Sequence, residues 1–144
     1  MSFYNVANPV NFTNQDANAK RLAPLSALTT VPASQYFTAD TTLTASQTLA
    51  GYIVYNGGNA TLTLPTPHHL LAALRNSAIT HQNSVSTNDM IVLHVRSNAG
   101  ICTIQGVDNA GAPSTNQPVA SGTYLDVVLR FTDVTEESSS YIVL

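Results

Sequence analysis

From Gln35 onward the chain runs in short alternating stretches, apolar then Thr or another polar residue, each closed by a turn signal. A period of two marks a strand with one buried face. Tyr36-Phe37-Thr38 and Thr41–Thr44 open the series. Gly51–Tyr55 is stronger and stops at Asn56-Gly57-Gly58; Ala60–Leu64 then places Ala60, Leu62 and Leu64 on one face and threonines on the other. Asn-Gly is a strong hairpin signal, so these two runs are expected to pair with each other. Ile91, Leu93 and Val95 point inward from a strand over Asp89–Arg96, which turns His94 outward; Ile101–Gln105 forms the next strand. Thr123–Thr132 is the longest, with Leu125, Val127, Leu129 and Phe131 in phase, and the apolar Tyr141–Leu144 is expected to be covered. One helix interrupts the pattern: Thr66 caps it, Pro67 suits its first position, and Leu70, Leu71 and Leu74 follow at helical spacing until Asn76-Ser77. Thr80–Asn88 reads as a loop. Seven or eight strands in about 110 residues predict a sandwich or jelly roll, and no 20–50-residue repeat stands out.

The first 34 residues differ. They are rich in Asn and Ala, interrupted by Pro9, Pro24 and Pro32, and lack a period. The expected organisation is an extended arm over 1–34, either loose or ordered by packing on a neighbouring subunit, and a β-sandwich over 35–144. Composition supports an all-β chain: Thr, Ser, Asn and Gln supply 50 of the 144 residues, whereas charged residues make up only 9%. The usual charged share is about 25%. The net charge is −3, and the five basic residues are scattered. Nucleic acid is therefore not an expected partner, because tracking phosphates needs clustered Lys and Arg. No apolar run is long enough for a membrane span, and no signal-peptide pattern opens the chain. Cys102 is the single cysteine, flanked by Ile101 and Ile104, and reads as a small core hydrophobe.

Candidate chemistry is thin. His68 and His69 are adjacent and point apart, and His81 and His94 stand elsewhere, without metal-ligand spacing. Asp89, Asp108, Asp126 and Asp133 show no acid/base pattern; Asp126 is expected to pair with Arg96 or Arg130. No nucleophile elbow or phosphate loop occurs. The expectation is a non-enzyme with no catalytic residues, no metal and no cofactor. The sequons at Asn11 and Asn59 follow from the abundance of Asn and Thr. The alternative is a carbohydrate-binding module that stacks sugars on Tyr55 and hydrogen-bonds them through Asn56, Asn59, Asp108 and Asn109, on loops 56–59 and 108–116.

The stretch Thr41-Thr42-Leu43-Thr44-Ala45-Ser46-Gln47-Thr48-Leu49-Ala50-Gly51-Tyr52-Ile53-Val54, followed by Ala60-Thr61-Leu62-Thr63-Leu64-Pro65-Thr66, resembles small β domains of large DNA virus and bacteriophage virion proteins. In those domains a T-L-T-L-P-T strand end leads into a short Leu/Ala helix. Strands like Ile91-Val92-Leu93-His94-Val95 and Ala99-Gly100-Ile101-Cys102-Thr103-Ile104 come next. The likeness covers about residues 41–131. It implies a jelly-roll-like antiparallel β-sandwich with one short helix, assembling as a homotrimer. It also implies a capsid-surface, fibre-head or minor virion component, made in the host cytoplasm and located in the virion. Its partners would be other virion proteins and, for a surface head, a host glycan. It transfers no catalytic residue.

Overall fold

The computed structural model describes residues 32–76 and 85–144, so the expected arm, apart from its last residues, and His81 lie outside the described residues. Ala33–Leu144 forms one compact unit. After a 3₁₀ turn at Ala33–Gln35 come β1 (Tyr36–Phe37), β2 (Thr41–Thr42), α1 (Ala45–Leu49), β3 (Tyr52–Asn56), β4 (Ala60–Thr63) and α2 (Pro67–Arg75). Then follow β5 (Met90–Ala99), β6 (Cys102–Val107), β7 (Pro113–Val119), β8 (Tyr124–Asp133) and β9 (Ser140–Val143). They form a five-stranded sheet, β1-β3-β5-β8-β9, and a four-stranded sheet, β2-β4-β6-β7. The two-sheet, mostly β architecture is the expected one.

Its strand order is not that of an antiparallel jelly roll. β1, β3 and β5 run parallel to one another, as do β2, β4 and β6. The chain alternates between the sheets, laying β1–β2, then β3–β4, then β5–β6 as three stacked turns of a winding. Tyr52 lies beside His94 in one sheet and Ala60 beside Cys102 in the other, so the second and third turns stack at an offset of 42 residues in both sheets. This repeat is invisible as sequence identity. The expected β3–β4 hairpin is absent because those strands belong to different sheets. Asn56-Gly57-Gly58-Asn59 is a corner between layers. Gly57 is needed there because a Cβ would sit 2.2 Å from the Thr38 carbonyl oxygen of the turn beside it. Gly100 forms the third corner at φ +68°, where a Cβ would come within 2.5 Å of Gly58 backbone. Bare backbone at these corners lets them stack.

The closing strands are antiparallel: β7 on β6, β8 on β5, and β9 on β8. The core lies between the sheets and gathers Ile53, Leu93, Val95, Leu129 and Phe131 from one, Leu62, Cys102 and Ile104 from the other. Burying such side chains is worth about 1.5–3 kcal/mol each. Each of the first two turns ends in a helix, two in place of the expected one. Thr44 and Gln47 form a reciprocal capping box on α1, and Thr66 accepts from the His69 N–H of α2 with Pro67 in the first turn. The α1 helix lies between two anticipated strands, over residues given no element from the sequence, and Thr44, expected to end a strand, serves as its cap.

Candidate functional site

The loop residues expected to bind a sugar do not form one site. Loop 56–59 sits where β6 begins, beside Gly100 and Ile101, whereas Asp108 and Asn109 follow its last residue, Val107. Six residues of strand, about 20 Å, separate the two ends. Tyr55 is 0% exposed, and its hydroxyl donates to the Gly58 carbonyl oxygen at 2.5 Å. Its ring therefore presents no face to a ligand. Asn56 donates from Nδ2 to the Tyr36 hydroxyl at 2.8 Å, and Asn59 Oδ1 accepts from the Ile101 N–H at 2.9 Å. One turn earlier, Asp40 Oδ1 accepts from the Thr61 N–H at 2.8 Å. Asp40 and Asn59 thus each satisfy the start of the next turn's strand, which would otherwise carry an unpaired donor.

At the far end, Asp108 Oδ1 accepts from the Ala110 and Ala112 N–H groups, both at 2.9 Å, and holds a tight turn. Asn109 Oδ1 accepts from the His68 N–H at 2.9 Å, supplying an N-terminal partner to α2. Its Nδ2 donates to the Ser139 carbonyl oxygen at 2.9 Å. Tyr141 extends the same tie: its hydroxyl donates to the Pro65 carbonyl oxygen at 2.7 Å and accepts from the Val107 N–H at 3.3 Å. Burial pushes that phenol up to about 12. A cleft of about 480 Å³ lies beside this region, edged by Thr66, His68, His69, Asn109, Glu136 and Glu137. Among the described residues no three His, Cys, Asp or Glu side chains converge as a metal site, and no helix is long and apolar enough to cross a membrane. Cys102 lies in the core as expected, and burial raises its thiol to about 11.

The outer face of the five-stranded sheet is different. Alternation puts Met90, Val92, His94 and Arg96 of β5 outward, and Tyr124, Asp126, Val128 and Arg130 of β8 beside them in register. Met90 is 62% and Tyr124 56% exposed, with Tyr36, Val92 and Leu144 also open. At its centre His94 Nδ1 lies 2.6 Å from Asp126 Oδ1 and 2.8 Å from the Tyr124 hydroxyl. Hydrogen bonds from Tyr124 and then His94 hold the Asp126 carboxyl below its ordinary range. The expected partners Arg96 and Arg130 are set aside by register: Arg96 faces Tyr124, and Arg130 faces Met90. The sequence placed His94 and Asp126 outward but could not give the register that joins them. The outer face of the other sheet carries Thr61, Thr63, Thr103, Gln105 and Asn116 instead. No family model matches this chain, and no curated protein or solved structure is detectably similar to it.

Proposed function

We propose that this chain is a non-enzymatic structural protein that acts by assembling: a virion component of the capsid-surface or fibre-head kind, in a homotrimer and with other virion proteins as neighbours. One observation carries the reading. The polar side chains at the corners and loops are engaged within the fold: Asp40 and Asn59 hold one turn of the winding to the next, Asn109 ties the loop after β6 to the start of α2, and Asp108 closes its own turn. They serve rigidity, which an assembling part needs, and are not gathered around a substrate. The motif resemblance supports it too: Ala60–Thr63 leads through Leu64-Pro65 to a Thr66-capped helix containing Leu70, Leu71 and Leu74. The reading does not depend on a jelly-roll strand order.

The test is the solution mass, by light scattering after size exclusion, of the full chain and of a chain lacking residues 1–34. The expected species is three times the 15.2 kDa protomer. Dissociation on truncation would assign the arm to assembly. A monomer in both forms would overturn the trimer, and glycan binding by that monomer would transfer the reading to the carbohydrate module.

A further inference from the structure

We infer that the outer face of the five-stranded sheet is where a second copy of this chain docks, in a head-to-tail contact. The inference rests on the assembling role proposed above and adds the surface that performs it. Three observations point to a second copy.

The first is composition. The face presents Tyr36, Tyr124, Met90, Val92, Arg96 and Arg130, and no Lys or Glu lies on its strands. Ala33–Leu144 has no Lys anywhere, so the informative part is that this face gathers its one Met and two of its three Arg beside Tyr36 and Tyr124, residue types enriched in protein–protein interface cores. The second is area. Strands of two, five, ten, ten and four residues, at about 3.3 Å per residue and about 4.8 Å between strands, cover roughly 500 Å² in projection. That is of the order of the ~800 Å² each partner contributes to a standard interface, and side chains standing off the sheet add to it.

The third is charge. The face has two guanidinium groups against two carboxylates that are already engaged, Asp126 by His94 and, at the far end of β8, Asp133 by Thr135 and Ser138. Over Ala33–Leu144 the remaining surface is acidic, with Arg75 alone against Asp40, Asp89, Asp108, Glu136 and Glu137. Among the described residues neither Arg96, whose Nε donates to Asn98 Oδ1, nor Arg130 pairs with a carboxylate. Like faces meeting would bring four arginines together. A face whose arginines lack carboxylate partners is complementary to another copy's acidic flank, and such a heterologous contact gives a ring where its rotation closes.

The experiment measures the mass and dissociation constant of the full chain and its variants, with near-ultraviolet circular dichroism reporting the fold. Val92→Glu and Tyr124→Glu are expected to give protomers, and Arg96→Glu to weaken association at least tenfold. Thr103→Glu on the opposite face is expected to leave the assembly intact. Val92→Thr keeps a strand-forming, similarly shaped side chain, so it reads the apolar contact even where the glutamate variant fails to fold; an increase in dissociation constant of several fold is expected. An assembled wild type indifferent to Val92→Thr and Tyr124→Glu, or equally disrupted by Thr103→Glu, would overturn this face and leave the assembling role standing. An association unaffected by Arg96→Glu would overturn the head-to-tail geometry. A monomeric wild type would overturn both the role and the face, and give the face to another occupant.

Discussion

The wound half of the molecule, β1 to β6, and the closing half, β7 to β9, share one core but are held by different means. In the winding, strands of two to six residues (β5 apart) are parallel, and order comes from corners pressed together and from Asx side chains reaching between turns. In the closure, β8 spans ten residues and pairs antiparallel on both sides, so the ladder itself supplies the order. Parallel pairing is slightly weaker per residue and cannot be made by a tight turn. The difference teaches that where ladders are short, backbone contact at the corners takes their place.

Two glycines sharpen this comparison most. Gly100 and Gly122 both have positive φ, +68° and +74°, but an added Cβ meets Gly58 backbone at 2.5 Å in the first and nothing within 4 Å in the second. Gly100→Ala should therefore cost about 3–5 kcal/mol, combining strain and overpacking, and Gly122→Ala only about 1–2 kcal/mol for conformation alone. Urea unfolding of both variants measures the gap, and equal losses would show that the corners do not depend on contact. Next in size is Tyr141→Phe, which removes the hydroxyl joining the closure to Pro65 and Val107 and leaves two buried backbone groups unpaired. The expected loss is about 1–3 kcal/mol, read from the same curves. Asn59→Ala should cost less, about 0.5–1.5 kcal/mol, because the freed Ile101 N–H lies near solvent.

The smallest effect is a pH dependence, and it belongs to the closing half. Asp126 is lowered by Tyr124 and His94, and Asp133 by the Thr135 N–H, then by the Thr135 and Ser138 side chains. A carboxyl depressed in the folded state takes up its proton first when unfolded. The stability it contributes is therefore complete above the unfolded value near about 4 and declines as pH falls toward the folded value. Thermal melts between pH 6 and pH 2.5 should show this decline, and Asp126→Asn should make it shallower; an unchanged slope would remove Asp126 from the account.

Much of this was legible in the residues. The Thr123–Thr132 alternation gave β8 and its buried Val127, Leu129 and Phe131, and Thr66-Pro67 gave the start of α2. Both are local signals, readable because strand period and helix cap act within a few residues. Partners were not legible. Asn56-Gly57 suits a hairpin as well as a stacked corner, and only the Thr38 carbonyl of another turn decides between them. The offset of 42 was hidden because Tyr52–Thr63 and His94–Gln105 share alternation while coinciding in identity only at Asn56/Asn98, Gly58/Gly100 and Thr61/Thr103. Of the five anticipated ligand residues, Asn59, Asp108 and Asn109 lie in loops as expected, whereas Tyr55 and Asn56 belong to β3 and the Tyr55 ring is buried. Their partners within the fold were not legible, since a hydrogen-bonding side chain does not declare whether its partner is a sugar or its own backbone.

The 42-residue step also sets a timetable. A hairpin such as β6–β7 or β8–β9 closes over a handful of residues, on the order of microseconds for an isolated hairpin. Each parallel rung between the second and third turns must first bring together residues about forty apart, and the entropy of that closure precedes any reward from the rung. Refolding should thus begin in the antiparallel strands and finish with the first turn, at the millisecond-to-second pace of folds rich in distant pairings. During that interval the unpaired edges of β3 and β4 stand open as templates for a neighbouring chain. The winding that makes the finished protein rigid makes the half-made one adhesive.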